Sequence, residues 1–195
     1  GAVVWRLQGP VNDALETAGA DRRFTGSRED GSGDGNRFPV TSWVADDPEP
    51  IDAGEWALSV TGRVASEETY ALGDLPTGAS ESALLDCTSG WYSDHDWQGV
   101  SVGVLLDAAG PDDGVRWVQF RSVTGYRFSL PIEEARDALL AARVDGERLS
   151  HGHGYPLRLV APGRRGFQWV KWVEEVRITR RRELGEWVAI FVSGL

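Results

Sequence analysis

A lone cysteine, a lone lysine and a histidine pair are the residues whose chemistry is hardest to replace in this chain. Cys87 is the only cysteine among 195 residues, so it joins no internal disulfide and no zinc site built on paired cysteines. It stands in Leu85-Asp86-Cys87-Thr88-Ser89-Gly90-Trp91, where it is either an inert buried thiol or a soft thiolate ligand for a redox-active metal. Lys171 is the only lysine beside 19 arginines. A compact ammonium suits phosphate, and an arginine-biased composition explains the imbalance equally well. His151 and His153 form a His-x-His pair, but two ligands fall short of the three or four that zinc takes. The third histidine, His95, sits in Asp94-His95-Asp96, which reads as a solvated loop. Tyr126, in Gly-Tyr-Arg-Phe-Ser-Leu-Pro, offers either a phenol for substrate or a half-buried strand aromatic.

Charge is unevenly distributed around these residues. The net charge of −10 disfavours a general nucleic-acid binder, which needs clustered Lys and Arg to neutralise phosphates. Residues 121–182 nevertheless hold 13 basic and 7 acidic side chains, a local +6 against −16 elsewhere. Such a segment is a self-paired solvated face or the seat of an anion, which arginine forks bind bidentately. The hydrophobic share of 41% and the charged share of 26% fit one globular domain. No stretch approaches the roughly 18 apolar residues of a membrane helix. With no Met at position 1, the opening Gly-Ala-Val-Val-Trp-Arg reads as the trimmed end of an upstream membrane or secretory segment.

The elements that must position these residues follow from periodicity. Residues 12–18 read as a short helix, and 25–36, rich in Gly, Ser and Asp, as a flexible connector or surface loop without the spacing of a dinucleotide site. This divides the chain into an extension and linker at 1–35 and a domain at 36–195. Alternation predicts strands at 55–64 and 81–87, so Cys87 falls where a strand becomes a loop. Ser101 should cap a helix ending at Gly110, followed by a strand at 115–123. Pro131 opens a predicted helix over 132–144, and strands are expected at 157–161 and 174–180. His151 and His153 would face one way if they lay on a strand. Helices and strands mix without a βαβ rhythm, so the class is α+β.

Two motifs carry a family likeness. The first is the Cys87 motif followed by Trp97-Gln98-Gly99-Val100; the second is Gly-His-Gly-Tyr-Pro-Leu-Arg-Leu-Val-Ala-Pro, residues 152–162, with Val170-Lys171-Trp172. Their order and spacing resemble the sulfite oxidase family of molybdenum enzymes over residues 36–179. The resemblance implies that family's molybdopterin-binding fold, with mixed sheets and short helices, and a molybdenum–molybdopterin cofactor whose metal is bound by Cys87. It implies that His153, Arg158 and Lys171 meet the pterin phosphate, that Trp169 and Val170 close over it, and that Asn36, Phe38, Pro39, Val40 and Ser122 make further cofactor contacts. Tyr126 aligns with the family's active-site tyrosine. Thr41 stands where sulfite oxidases hold sulfite with an arginine, which turns the expectation from sulfite oxidation toward oxygen-atom transfer on a small S-oxide, N-oxide or other sulfur substrate.

The chain lacks room after residue 179 for the family's C-terminal dimerisation domain, so a monomer is expected. Within the family it looks most like the compact bacterial S-oxide reductase subunits. That likeness implies two-electron oxygen-atom transfer outside the cytoplasmic membrane, with a cytochrome or quinone-linked membrane partner and no nucleic acid. The competing readings are a non-catalytic module of the same fold that binds a protein, and a domain that binds only a phosphorylated ligand.

Overall fold

The computed structural model describes residues 28–42 and 46–182; the helix expected at 12–18 and the apolar end of the chain lie outside them. Two sheets share one apolar core. The first is organised on β5 (Trp91–Ser101), which pairs with β1 (Arg28–Glu29), β4 (Ala79–Asp86) and β8 (Leu139–Val144). Beyond β8 lie β9 (Glu147–Arg148) and β10 (Arg158–Val160). The second runs β3 (Glu68–Ala71), β2 (Ala57–Gly62), β11 (Val173–Thr179), β6 (Trp117–Ser122), β7 (Arg127–Pro131). Both sheets are mixed: β1 is parallel to β5 and β2 to β11, while the other pairs are antiparallel. Helix α1 (Val102–Ala109) touches both β5 and β2 and so bridges the sheets, and the short α2 (Ile132–Arg136) lies against β6 and β7. This is the expected α+β class.

Local pattern accounts for several elements directly. Leu58 and Val60 are the buried alternate residues of β2, and Ala83 and Leu85 those of β4. Helix α1 buries Val102, Leu105, Leu106 and Ala109, an i, i+3, i+4, i+7 stripe. It stops at Gly110, left-handed at φ 66, whose N–H reaches Leu106 O. Ser101 precedes it without making a side-chain cap bond. Gly99 is required by close approach: a Cβ there would lie 2.0 Å from Leu140 O, where the β5–β8 register shifts.

Two expectations are corrected. The helix predicted over 132–144 ends at Arg136, and residues 139–144 form β8 instead. Leu139, Leu140 and Ala141 are all buried because the strand is central, flanked by β5 and β10, and such an apolar run cannot be told from a helix by period. Asp94-His95-Asp96 is not a loop but the middle of β5, with His95 3% exposed. His151 and His153 lie in a 3-10 turn (His151–His153), so the one-sided facing of a strand pair does not apply to them. The Gly-rich run read as a loop also carries β1 and a 3-10 turn at Gly35–Arg37, and it docks along β5 through Asp30 N–H to Tyr92 O and Gly33 N–H to Asp94 O.

Candidate functional site

The turn from β4 into β5 presents Cys87. Its backbone is closed by Cys87 N–H to Trp91 O and Gly90 N–H to Cys87 O, with Gly90 at φ 95. The thiol, 6% exposed, lies 3.0 Å from Ser89 Oγ and 3.7 Å from Thr41 Oγ1. It faces a cleft of about 770 Å³, partly open to solvent. Phe38, Pro39, Thr41 and Ser42 form one wall; Leu85, Thr88 and Trp91 surround the thiol; His153, Arg158, Trp169 and Lys171 form the cationic side; Tyr126, Gly166, Phe167 and Asp46 complete it.

The cationic side is built by β10 and the turns on either side of it. Arg158 is 4% exposed and donates to His153 O at 3.0 Å, while its Nε has no hydrogen-bond partner. Its guanidinium lies over the Trp97 and Trp169 rings at 5.6 and 5.9 Å. Burial lowers its pKa to about 10. His153 Nε2 lies 2.9 Å from Phe38 O, which can only accept, so Nε2 carries the proton and Nδ1 accepts from Ser150 Oγ at 2.8 Å. Burial, then the Arg158 charge, push its pKa down to about 4, so the ring is neutral. Lys171 Nζ donates to Gly152 O at 2.7 Å, Thr41 O at 2.9 Å and Ser42 Oγ at 3.0 Å. Burial first, then Arg158, lower its pKa to about 7. Gly154, at φ 111, lets these two cations approach: a Cβ would meet Lys171 Cβ at 3.1 Å and Arg158 Cβ at 3.2 Å. Asp46 is buried beside them, with Oδ1 unpartnered and its carboxyl pushed up by desolvation.

The cleft thus brings together Cys87, Tyr126, Phe38, Pro39, His153, Arg158, Trp169 and Lys171. Tyr126 donates its phenol proton to Phe167 O at 2.5 Å. Four expected contacts do not line it. Asn36 instead clamps the hairpin, donating to Arg148 O and Glu147 and accepting from Ser150 N–H. Val40 is exposed against Gly152, Val170 is buried with its carbonyl accepting from Leu159 N–H, and Ser122 holds the β6–β7 turn through Thr124. Sequence reasoning missed Ser42, Asp46 and Phe167, which reach the cleft only through long-range packing. His151 Nε2 bonds Pro48 O at 2.7 Å, and no cluster of three His, Cys, Asp or Glu capable of holding a metal exists among the described residues.

Comparison with known proteins agrees with this architecture. Residues 45–187 match the oxidoreductase molybdopterin binding domain. The chain is 30% identical over 155 residues to an uncharacterized oxidoreductase, YuiH, of Bacillus subtilis, covering 77% of this chain and 78% of that protein. It is 28% identical over 152 residues to the protein-methionine-sulfoxide reductase catalytic subunit of Xanthomonas campestris, covering 68% of this chain but only 47% of that one. Among solved structures it resembles the sulfane dehydrogenase SoxCD of Paracoccus pantotrophus, with a TM-score of 0.64 and 27% identity over 68% of this chain and 40% of that chain. The chain is therefore a member of the oxidoreductase molybdopterin-binding domain family, enzymes of the sulfite oxidase fold whose cofactor is molybdenum–molybdopterin.

Proposed function

We propose that this chain is the catalytic domain of a molybdenum-dependent oxidoreductase that transfers an oxygen atom to or from sulfur, most simply as a reductase of a small neutral S-oxide, with Cys87 as the one protein ligand to the metal. The carrying observation is the meeting, in one cleft, of the lone thiol with a buried arginine whose Nε has no partner. A buried guanidinium left short of acceptors costs several kcal/mol and fits an anionic occupant such as the pterin phosphate. The thiol supplies the soft donor, and Gly154 leaves room between the cations.

In this reading Arg158 and Lys171 hold the phosphate, the first as a fixed fork and the second by exchanging its carbonyl partners for anionic oxygens. Neutral His153 keeps its proton on Nε2, toward Phe38 O, and so adds no positive charge. When bound, molybdenum–molybdopterin supplies the two-electron redox chemistry. Phe38, Trp91, Phe167 and Trp169 shield that centre from water and offer an apolar wall to a sulfur substrate. Tyr126, its proton engaged by Phe167 O, offers lone pairs as an acceptor within the cleft. Thr41 brings a neutral hydroxyl near Cys87, which favours an uncharged S-oxide or N-oxide over anionic sulfite. Electrons exchange with a cytochrome or quinone-linked membrane partner, and the domain works outside the cytoplasmic membrane; the relative named as a catalytic subunit supports the existence of a partner subunit.

The test is metal content followed by activity. Protein from a cofactor-competent host should retain molybdenum, and Cys87→Ala should lose it. Dye-linked assays should then show reduction of methionine sulfoxide or dimethyl sulfoxide exceeding oxidation of sulfite. Molybdenum-free wild-type protein would overturn the reading, and sulfite oxidation as the faster reaction would overturn its substrate half.

A further inference from the structure

Behind Phe38, away from the cleft, a second polar cluster is buried in the first sheet. β5 turns Ser93 and His95 inward between Trp91 and Trp97, and the two-residue turn from β8 to β9 sets Asp145 over them. Asp145 and Gly146 have φ of 48 and 81, the left-handed pair that type I′ hairpins require. His95 is fully buried at its side chain and Asp145 is 12% exposed.

Hydrogen-bond accounting fixes the charge. Ser93 Oγ has one proton, and its 2.8 Å bond to Asp30 O, which can only accept, uses it. The 2.7 Å contact between Ser93 Oγ and His95 Nε2 must then be donated by Nε2. His95 Nδ1 lies 2.6 Å from Asp145 Oδ2, which also accepts Gly35 N–H at 3.0 Å, while Oδ1 accepts Asp96 N–H at 2.9 Å. Two backbone donors favour the carboxylate, and imidazole is the stronger base, so the shared proton belongs on Nδ1.

We infer that His95 is a buried imidazolium and that its pairing with Asp145 makes it a positioning residue of the cleft, tying residues 30–38 to the sheet so that Phe38 orients His153. Each link is a contact. Ser93 holds Asp30, Asp145 holds Gly35, the His95 and Phe38 rings lie 4.5 Å apart, the Phe38 and His153 rings 3.8 Å apart, and Phe38 O accepts the hydrogen bond from His153 Nε2. His95 pairs with Asp145 and acts electrostatically on Glu29 at the sheet edge and on His153 beyond Phe38. This inference rests on the proposed function only in treating the cleft as the cofactor site.

The test reads ring nitrogens by NMR on the whole chain. Wild-type His95 should show a proton on each ring nitrogen, a state seen without any variant. Asp145→Asn keeps a residue that tolerates left-handed backbone, and it should strip one proton from His95 and shift the His153 Nε2–H resonance. Val60→Ala, a cavity in the second sheet, should leave that resonance in place. A neutral His95 in the wild type, or an unmoved His153 signal in Asp145→Asn, would overturn the inference. These signals are read with or without molybdenum, so their failure leaves the Cys87 metal test intact, and failure of the metal test leaves them interpretable.

Discussion

The His153 and His95 rings both lie against Phe38, and their surroundings are opposite. His153 stands among cations, Arg158 and Lys171, and burial with those charges keeps it neutral with a pKa near 4. His95 stands on a carboxylate, with both ring nitrogens partnered. The cleft cluster is unfinished: Arg158 Nε lacks an acceptor and Lys171 is held down to about 7. The inner cluster is complete, since each His95 nitrogen and both Asp145 oxygens make hydrogen bonds. The same residue type therefore serves as a fixed charge where its acceptor is built into the sheet, and as a neutral spacer where the cluster waits for an anion from outside.

The comparison breaks first if the inner pair can be cut without cost. Removing the carboxylate leaves His95 either as an unpaired buried charge or, once it sheds a proton, without its charge-assisted bond, so Asp145→Asn should destabilise the chain by about 3 kcal/mol in urea melts. A loss below ~1 kcal/mol would mean the pair is not charged.

His153 gives the next largest effect, and its sign follows from the direction of the shift. Its folded pKa of about 4 lies below the unfolded value near 6.5, so the unfolded chain takes up a proton first as the pH falls. The stability contributed by the neutral ring is complete above pH 6.5 and is lost between 6.5 and 4, a drop of about 3 kcal/mol. Carboxylates titrate near the lower end, so the slope is isolated by subtracting that of His153→Gln. Equal slopes would mean that His153 is not held neutral.

How much of this was legible differs between the two clusters for a physical reason. The cleft residues Cys87, His153, Arg158 and Lys171 stand in motifs whose residue types are unusual for a core, so the sequence alone draws notice to them. His95 does not stand out in this way. In β5 the inward positions are Trp91, Ser93, His95 and Trp97, and two polar residues in that row erase the alternation by which a half-buried strand is recognised. Their burial becomes sensible only once Asp30 and Asp145 arrive from 63 and 50 residues away in the chain. β8 was hidden differently: its apolar run is compatible with helix or strand. The Asp145-Gly146 pair after it was a usable hairpin signal, because few other dipeptides adopt two positive φ values readily. Ser42 and Asp46 were beyond reach, because Lys171, which donates to Ser42 Oγ in the cleft they share, lies 129 residues further along the chain than Ser42.

Arg158→Met sharpens the contrast with Asp145→Asn, because the two should differ in sign. In cofactor-free protein Arg158 has lost solvation without gaining an anion, so its replacement by an apolar side chain of similar length should leave stability within ~1 kcal/mol or raise it by about 1–2 kcal/mol. The lost bond to His153 O and the ring contacts work against that gain. Molybdenum retention should fall at least about tenfold in the same variant, the loss of one charge-assisted contact. A cofactor-free Arg158→Met chain as unstable as Asp145→Asn would show the two clusters to be alike, with Arg158 already satisfied by the protein.

The smallest effect is the most direct probe of the unfinished cluster. Lys171 spends all three ammonium donors on Thr41, Ser42 and Gly152, yet burial and Arg158 hold its pKa near 7. An anion in the cleft would favour the charged form, so by linkage the charged form must bind the anion more tightly. Sulfate is the suitable probe because its own charge is constant over this range. Its affinity for cofactor-free protein, read from the concentration dependence of Tm, should fall several-fold between pH 6 and pH 9, and Lys171→Met should bind more weakly at pH 6 and show no such fall. Because a folded pKa below the unfolded 10.5 is lost stability as pH drops toward 7, the same protein without sulfate should gain stability from pH 7 upward relative to Lys171→Met. Sulfate binding that ignores pH would place the anion away from Lys171 and leave Arg158 as the sole cation of the cleft.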